Sequence, residues 1–144
     1  MTRINSGVIP QHLADKMLLA EHRELPRIPN TIKSGRAVVK QDKFSMFTLN
    51  KGHVTFFYNR LKYLHDRYNA IHKECLERGF NVQDYSDSFK DLPPNLYNDW
   101  RETRNSKKLI IQRITERLNA MPSKNIRYYG EIIKREHLID NLNL

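Results

Sequence analysis

This sequence of 144 residues has one cysteine, five glycines and no long apolar run. These scarcities exclude several classes of protein. Cys75 alone forms neither an internal disulfide nor a cysteine-based zinc site. No stretch approaches the roughly 18 consecutive apolar residues of a membrane-spanning helix, and the N-terminus lacks the apolar segment of a secretory signal. We therefore expect an intracellular protein without a membrane partner.

Acidic residues are also in the minority. The chain has 25 lysines and arginines against 16 acidic residues, a formal net charge of +9. Because both signs occur throughout and the aromatic content is ordinary, this composition is typical of a folded basic protein and not of a disordered basic tail. The length favours one domain over residues 1–144. The expected partner is a polyanion, with nucleic acid ahead of a membrane surface.

The first helix is predicted to end at Pro26. The apolar residues that share one helix face upstream of it are Ile9, Leu13, Met17 and Ala20. Proline lacks an N–H and pushes the preceding Leu25 out of the helical region. Glu24 then lies in the last turn, where the helix dipole disfavours a carboxylate. Such a violation is typical of functional sites and makes Glu24 a candidate for proton transfer. The alternative is a surface carboxylate paired with Arg23 or Arg27.

Residues 28–49 are predicted to form a basic loop, either without regular structure or with a helical turn. Pro29, Asn30 and Gly35 interrupt any long period. The cations of this stretch are Lys33, Arg36, Lys40 and Lys43. The loop is either a solvated connector or, beside an active site, a place where phosphates bind.

A long helix is predicted over residues 51–78. Its core-facing seam, at spacings of three and four, consists of Val54, Phe57, Leu61, Leu64, Tyr68, Ile71 and Cys75. A seam with aromatic residues fits packing inside one domain better than a coiled-coil dimer, so we expect a monomer. Gly79 followed by Phe80 is typical of a helix end at which glycine is left-handed and an apolar residue closes over it.

Neither the histidines nor the acidic residues form a recognisable metal site. His53, His65 and His72 are twelve and seven residues apart, so we expect hydrogen-bonded or exposed histidines. The acidic stretch at 81–102 lacks an Asp-x-Asp-x-Asp-Gly loop and should face away from a polyanion. Trp100 is its expected buried anchor. We expect no metal and no cofactor.

A third helix is predicted to begin at a cap on Ser106 and to end before Pro122. Its apolar stripe consists of Ile110, Ile114, Leu118 and Met121. Arg113 and Arg117 lie one turn apart on this helix.

Basic and aromatic residues alternate after the third helix. Arg127, Tyr128 and Tyr129 fit a nucleic-acid surface, where cations bind phosphates and rings stack on bases; the tyrosines fit packing against the core equally well. Residues 131–144 either continue as a helix or fray. The expected fold is all-α, a compact single domain of three main helices with long connecting loops.

Several short runs form a pattern that extends across nearly the whole chain. They are Thr2-Arg3-Ile4-Asn5, Leu13-Ala14-Asp15, Ala20-Glu21, Arg23-Glu24-Leu25-Pro26-Arg27, Gly52-His53-Val54-Thr55-Phe56-Phe57-Tyr58, Glu74-Cys75-Leu76, Arg78-Gly79-Phe80-Asn81 and Tyr128-Tyr129-Gly130. In this order they resemble the phage endonuclease V type of pyrimidine-dimer DNA glycosylase and AP lyase. The correspondence is weakest between Gln83 and Glu102. That family is all-α and needs no metal.

The resemblance implies a nucleophile, the α-amino group of Thr2, which is exposed when Met1 is removed. At pH 7 about a tenth or more of α-amino groups are neutral, against roughly one lysine in a few thousand. A neutral amine is what attacks carbon. Attack at C1′ of the 5′ sugar of a dimer would expel the base and leave an imine, and β-elimination would then cut the strand. By resemblance, Glu24 would stabilise the cationic sugar and transfer protons.

The resemblance also implies how DNA is bound. The implied partner is double-stranded DNA with pyrimidine dimers or abasic sites, in the cytoplasm of a phage-infected or bacterial cell or in the nucleus of a virus host. Enzymes of this family kink the duplex and flip out a base opposite the lesion. Flipping a base costs the least free energy at a damaged site. The expected DNA contacts are Arg3, Arg23, Arg27, Lys33, Arg36, Arg113, Arg117, Arg127, Tyr128 and Tyr129.

Two positions depart from the family pattern. Met17 replaces a histidine, and Asn125 replaces a tryptophan, so the range of lesions stays open. Two other functions fit the charge: a non-enzymatic basic DNA-binding module with the same fold, and an RNA-binding helical domain. Neither needs Thr2 together with Glu24.

Overall fold

The computed structural model describes residues 2–37, 47–49 and 52–144. The helices are α1 (Asp15–Glu24), α2 (Arg27–Lys33), α3 (His53–Phe56), α4 (Leu61–Glu77), α5 (Arg104–Ala120) and α6 (Arg135–Leu142). An antiparallel hairpin, β1 (Arg127–Tyr128) and β2 (Glu131–Ile132), pairs Arg127 with Ile132 and was not predicted. The all-α fold is confirmed.

The buried apolar residues form two clusters. One joins α1, the second half of α4, α5 and α6, through residues such as Leu18, Ile71 and Ile110. The other lies around α3 and the first half of α4, and it includes Ile4 and Phe57. Residues 2–5 are called the N-terminal segment below. Because Ile4 is fully buried, this segment is part of the core and is not a loose tail.

Helix α1 begins later than predicted and ends where predicted. Pro10–His12 is a separate 3-10 turn, and Ala14 is extended, so the helix begins at Asp15. Ile9 is 52% exposed and precedes the 3-10 turn, so the prediction that it lies on a face of this helix is wrong. The prediction that Leu25 leaves the helical region is also wrong, since its φ and ψ are −56° and −42°. Its fully buried side chain holds it in the second cluster, which outweighs the disfavour before proline.

The predicted loop at 28–49 begins as a helix. In α2, Pro29 is the third helical residue, and an N–H there has no partner inside the helix anyway. Proline therefore costs α2 no hydrogen bond. The remainder of the predicted loop, including Lys40 and Lys43, lies outside the described residues except at its ends.

The predicted long helix is two helices. Arg60, with φ −130° and ψ 45°, separates α3 from α4. Its guanidinium lies 3.9 Å from the centre of the Phe56 ring and donates to the Phe56 carbonyl at 2.6 Å. In a continuous helix that carbonyl would accept the Arg60 backbone N–H. The side chain thus replaces the backbone bond, although Phe57 and Leu61 stay buried in the seam.

The predicted end of the long helix is confirmed. Gly79 is left-handed, with φ +82°, and its N–H donates to the Leu76 carbonyl. The Phe80 N–H donates to the Cys75 carbonyl at 3.0 Å, which completes a Schellman motif.

Helix α5 is capped by Thr103, and the predicted cap on Ser106 is wrong. The Thr103 hydroxyl accepts the Ser106 N–H, and the Ser106 hydroxyl accepts the Thr103 N–H, both at 2.9 Å. Ser106 therefore has the third position of a capping box. The predicted stripe faces the core, with Met121 at its partly buried end.

The acidic stretch is held by Trp100, as predicted, although this side chain is only half-buried. Its ring stacks on Phe47 and meets Phe56, Phe57 and Tyr63 edge-on. Within the residues that the structure describes, no helix is long and apolar enough to cross a bilayer.

Candidate active site

A small cleft lies between the N-terminal segment, α1 and α5. It is lined by Arg3, Asn5, Met17, Ala20, Glu21, Glu24, Arg113, Ile114 and Arg117. The fold thus brings four predicted site residues into one place, namely Arg3, Glu24, Arg113 and Arg117. Thr2, which is half-buried, directly precedes Arg3. Thr2 is therefore one residue away from a residue that lines the same cleft as Glu24.

Glu24 belongs to the cleft more than to the surface. Its side chain is 16% exposed, whereas that of Arg23 is 61% exposed. The shortest contact between the two, Arg23 Nη2 to Glu24 Oε2, is 3.6 Å, which is long for a charge-assisted hydrogen bond. The predicted pairing with Arg23 exists, but it is loose and leaves the carboxylate available to the cleft.

Three guanidinium groups concentrate positive charge around the cleft. Burial lowers the pKa of Arg113 to about 10, and the charges of Arg3 and Arg117 act in the same direction. Burial and then Arg3 also lower the pKa of Arg117, which the nearby Glu24 opposes. These arginines are near enough to repel one another, so an anion between them would be favoured.

The N-terminal segment is held by its backbone and by one amide side chain. The Ile4 N–H donates to His53 Nε2 at 3.0 Å. Arg113 Nη2 lies 3.2 Å from both the Ile4 carbonyl and Asn5 Oδ1. Asn5 Nδ2 donates to Glu21 Oε1 at 2.8 Å. Arg113 therefore supports the segment that carries Thr2, a role that sequence reasoning missed.

A buried ion pair lies behind this segment. Arg67 Nε lies 2.6 Å from Glu21 Oε2, and Nη2 lies 3.1 Å from Oε1. Arg67 Nη1 also donates to the Val8 carbonyl at 2.7 Å. Sequence reasoning missed this pair as well. The sequence does place Glu21 four residues after Met17, on the helix face that the apolar residues share.

A family model described as pyrimidine dimer DNA glycosylase matches residues 1–88. The chain belongs to this family. The matched segment contains Thr2, Arg3, Glu24, His53 and Arg67, and it ends before α5, which supplies Arg113 and Arg117. Membership makes DNA with pyrimidine dimers the partner and base excision the general activity.

The other cations of the described segments before α3 that are expected to contact DNA in this glycosylase are exposed and do not line the cleft. Arg23 is exposed on α1, and Arg27 is exposed at the start of α2. Lys33 Nζ donates to the Asp87 carbonyl at 2.8 Å, so this exposed amine is tied to the acidic stretch. Arg36 is exposed near the end of the described segment.

Tyr128 and Tyr129 of the hairpin pack against Arg78. Their ring centres lie 4.7 and 4.6 Å from its guanidinium carbon. The hydroxyls donate to the Gln11 carbonyl and to Glu74 Oε2, both at 2.7 Å. Packing against the protein therefore accounts for these contacts, while the Tyr129 residue is still 46% exposed. A role in DNA binding stays a prediction.

The hairpin lies at the other end of α1 from Glu24. Asp15, in the first turn, accepts the N–H groups of Tyr129 and Gly130. Nine residues at 1.5 Å each separate the ends of α1 by about 13 Å. Arg127 is exposed and donates to the Gly130 carbonyl. Any DNA contact here would be remote from the cleft.

The two departures from the family pattern lie in different places. Met17 is buried and lines the cleft, so an apolar thioether stands there. Asn125 is exposed in the 3-10 turn before the hairpin. Within the described ranges, no group of three or more histidine, cysteine or acidic residues is arranged to hold a metal ion.

Proposed function

We propose that this protein excises the 5′ base of a pyrimidine dimer through an imine on the amine of Thr2 and then cuts the strand as an AP lyase. The observation that carries the proposal is the cleft itself, where the N-terminal segment, Glu24 and three arginines meet. Removal of Met1 is required, because only then does Thr2 bear the α-amino group.

In the proposed reaction, the neutral amine forms a bond to C1′ as the glycosidic bond breaks. The pyrimidine keeps the bonding electrons, takes up a proton and stays joined to the other pyrimidine of the dimer. Ring opening then gives an imine, which acidifies the 2′ proton. Loss of that proton breaks the bond from C3′ to oxygen, which cuts the strand. The arginines support the first step, since nearby positive charge disfavours the protonated amine and so keeps more of it reactive.

Glu24 is suited to stabilise the cation and to move protons. Its carboxylate is largely shielded from solvent, and a shielded charge interacts more strongly with a developing cation than one in water. Its loose contact with Arg23 leaves lone pairs for the sugar. We assign to Glu24 the stabilisation of the sugar cation and then the removal of the 2′ proton.

The cationic surface is suited to hold a distorted duplex. Arg3 and Arg117 line the cleft, and the exposed Arg23 and Arg27 lie one residue before and three residues after Glu24. An attacking amine beside a cleft cannot reach C1′ inside an intact duplex. The proposal therefore includes kinking of the DNA and flipping of a base opposite the lesion, with arginines on the displaced phosphates.

Borohydride trapping tests the nucleophile. With dimer-containing or abasic duplex, reduction should give a covalent adduct that peptide mapping places on Thr2. An adduct on a lysine would refute this assignment. Binding without base release or adduct would instead favour a non-enzymatic DNA-binding module.

Glu24→Gln tests the carboxylate. This variant should bind lesion DNA but lose glycosylase activity by on the order of a hundredfold or more, the usual size of acid–base and electrostatic contributions. The matched control is Glu77→Gln, because Glu77 is an exposed carboxylate that also lies in the last turn of a helix. The control should retain full activity. Glu24→Gln activity within a few-fold of the parent would make Glu24 an ordinary surface carboxylate.

A further inference from the structure

His53 is a buried histidine that contacts the N-terminal segment but does not line the cleft. It is 3% exposed. Nε2 accepts the Ile4 N–H at 3.0 Å, so Nε2 carries no proton. Nδ1, 2.9 Å from the Thr48 carbonyl, therefore carries the proton and donates it to that oxygen. Both hydrogen bonds exist together only in this neutral tautomer.

The groups around His53 favour the neutral ring. Burial lowers its pKa to about 4, and the charge of Arg113 on α5 acts in the same direction. The Thr48 carbonyl and Glu21 on α1 act in the opposite direction, and Glu21 is already paired with Arg67 of α4. The rings of Phe47 and Phe57 meet the imidazole edge-on. At neutral pH the Nε2 acceptor is therefore permanently available.

Ile4 is held from three sides. His53 binds its N–H, Arg113 binds its carbonyl, and its side chain is fully buried in the second cluster. Two residues span at most about 7 Å, so a fixed Ile4 confines the Thr2 amine to a small volume beside Arg3 and the cleft. The His53 bond is the one of these three that acts on the side of Ile4 nearer to Thr2.

We propose that His53 is a positioning residue for the reaction: its neutral ring fixes the backbone two residues after Thr2 and thereby places the amine against the sugar that Glu24 serves. This inference rests on the proposed role of Thr2. His53 acts only through the segment that it holds. Because a misplacement of about 1 Å is enough to slow a reaction on the order of a hundredfold, loss of this bond should slow chemistry much more than DNA binding.

The test compares His53→Ala and His53→Gln with His65→Ala. His65 is the matched control, since it also bonds to a neighbour, the Tyr97 hydroxyl at 2.7 Å, and stacks on Phe89, but it does not touch the N-terminal segment. For each variant one would measure the single-turnover rate of borohydride-trapped imine at saturating abasic duplex, the Kd for that duplex and the hydrogen-exchange protection of the Ile4 amide. Assays run well below the lowest melting temperature in the set.

His53→Ala should slow trapping about ten- to a hundredfold and remove the Ile4 protection, while the Kd changes less than about threefold. His53→Gln should recover much of the rate, because a carboxamide can accept from Ile4 and donate to Thr48. His65→Ala should trap at the parent rate even if it melts earlier. A His53→Ala rate within twofold of the parent, with the Ile4 amide unprotected, would overturn the proposal.

The pH profile gives a second readout that does not depend on His53→Ala. Dividing the parent rate by the His53→Gln rate at each pH cancels protonation of the amine itself. This ratio should be constant from pH 7 to 5 and fall as the pH approaches 4, where His53 takes up a proton and loses its acceptor. A ratio that rises as the pH falls toward 4 would overturn the positioning role. If the parent forms no adduct on Thr2, the proposed function itself fails, which is a distinct result.

Discussion

Removing one partner of the buried pair between Arg67 and Glu21 should be among the costliest single changes in this protein. The two side chains are 7% and 0% exposed, and two nitrogens of one guanidinium meet both oxygens of one carboxylate. Arg67→Met removes both of these contacts and the bond to the Val8 carbonyl. Breaking such a pair costs about 3–5 kcal/mol, because the remaining charge stays buried without its counterion.

The expected loss is large enough to measure simply. For a domain near this size, each kcal/mol lowers the melting temperature by about 2–4 °C, so Arg67→Met should lower it by roughly 6–20 °C. Thermal and urea unfolding at pH 7 give this value. In a double-mutant cycle, Arg67→Met with Glu21→Gln should be less destabilised than the sum of the single variants, because no uncompensated charge remains.

An exposed pair provides the control. Lys62 and Asp66 lie 2.9 Å apart, one turn apart on α4, with side chains 45% and 60% exposed. Asp66→Asn should change the free energy of unfolding by less than about 0.5 kcal/mol. If Arg67→Met costs less than about 1 kcal/mol, or if the two single effects add, the buried pair does not support the site as its geometry indicates.

Three further outcomes are expected. Arg23→Ala and Arg117→Ala should each lower the slope of log affinity against log salt by about one on abasic duplex, and an unchanged slope would exclude a phosphate contact. Burial holds the pKa values of His22 and His53 near 4, below the usual 6.5, so the unfolded chain takes up protons at a higher pH than the folded one. The free energy of unfolding should therefore fall as the pH is lowered from about 6.5 to 4. Urea unfolding at several pH values measures this, and a constant free energy over that range would contradict it. Gly79→Ala should cost about 1 kcal/mol, because φ is +82° but no atom lies within 4 Å of the added carbon, and a much larger loss on urea unfolding would indicate a steric clash.

The spacing of apolar residues and the local glycine and proline pattern were enough to predict a helix whose end is fixed by its own backbone hydrogen bonds. The seam of α4 and the stop at Gly79 and Phe80 need only residues within one turn of each other. Prediction failed where a side chain replaces a backbone partner. The apolar period continues across the break between α3 and α4. It therefore gives no indication that the Arg60 guanidinium donates a hydrogen bond to the Phe56 carbonyl.

The site divides in the same way. Glu24 could be proposed from a local rule, the helix dipole, together with family resemblance. His53 and Arg67 could not be assigned, because their contacts with Ile4 and Glu21 span 49 and 46 residues and depend on how α3 and α4 pack against α1. The sequence shows only that a charged or imidazole side chain lies near a predicted core face. It does not show which residue that side chain contacts.

Three arginines and two carboxylates line the cleft, so its lining carries a net positive charge. Glu21 lines the cleft and is paired with Arg67, and its charge raises the pKa of Arg113 against the effects of burial and Arg3. Glu24 is the second carboxylate that lines the cleft, and its charge raises the pKa of Arg117. Its place against the helix dipole is then tolerable, because nearby arginines compensate the charge. Met17 is buried and lines the same cleft, and charges interact more strongly beside an apolar side chain than in water.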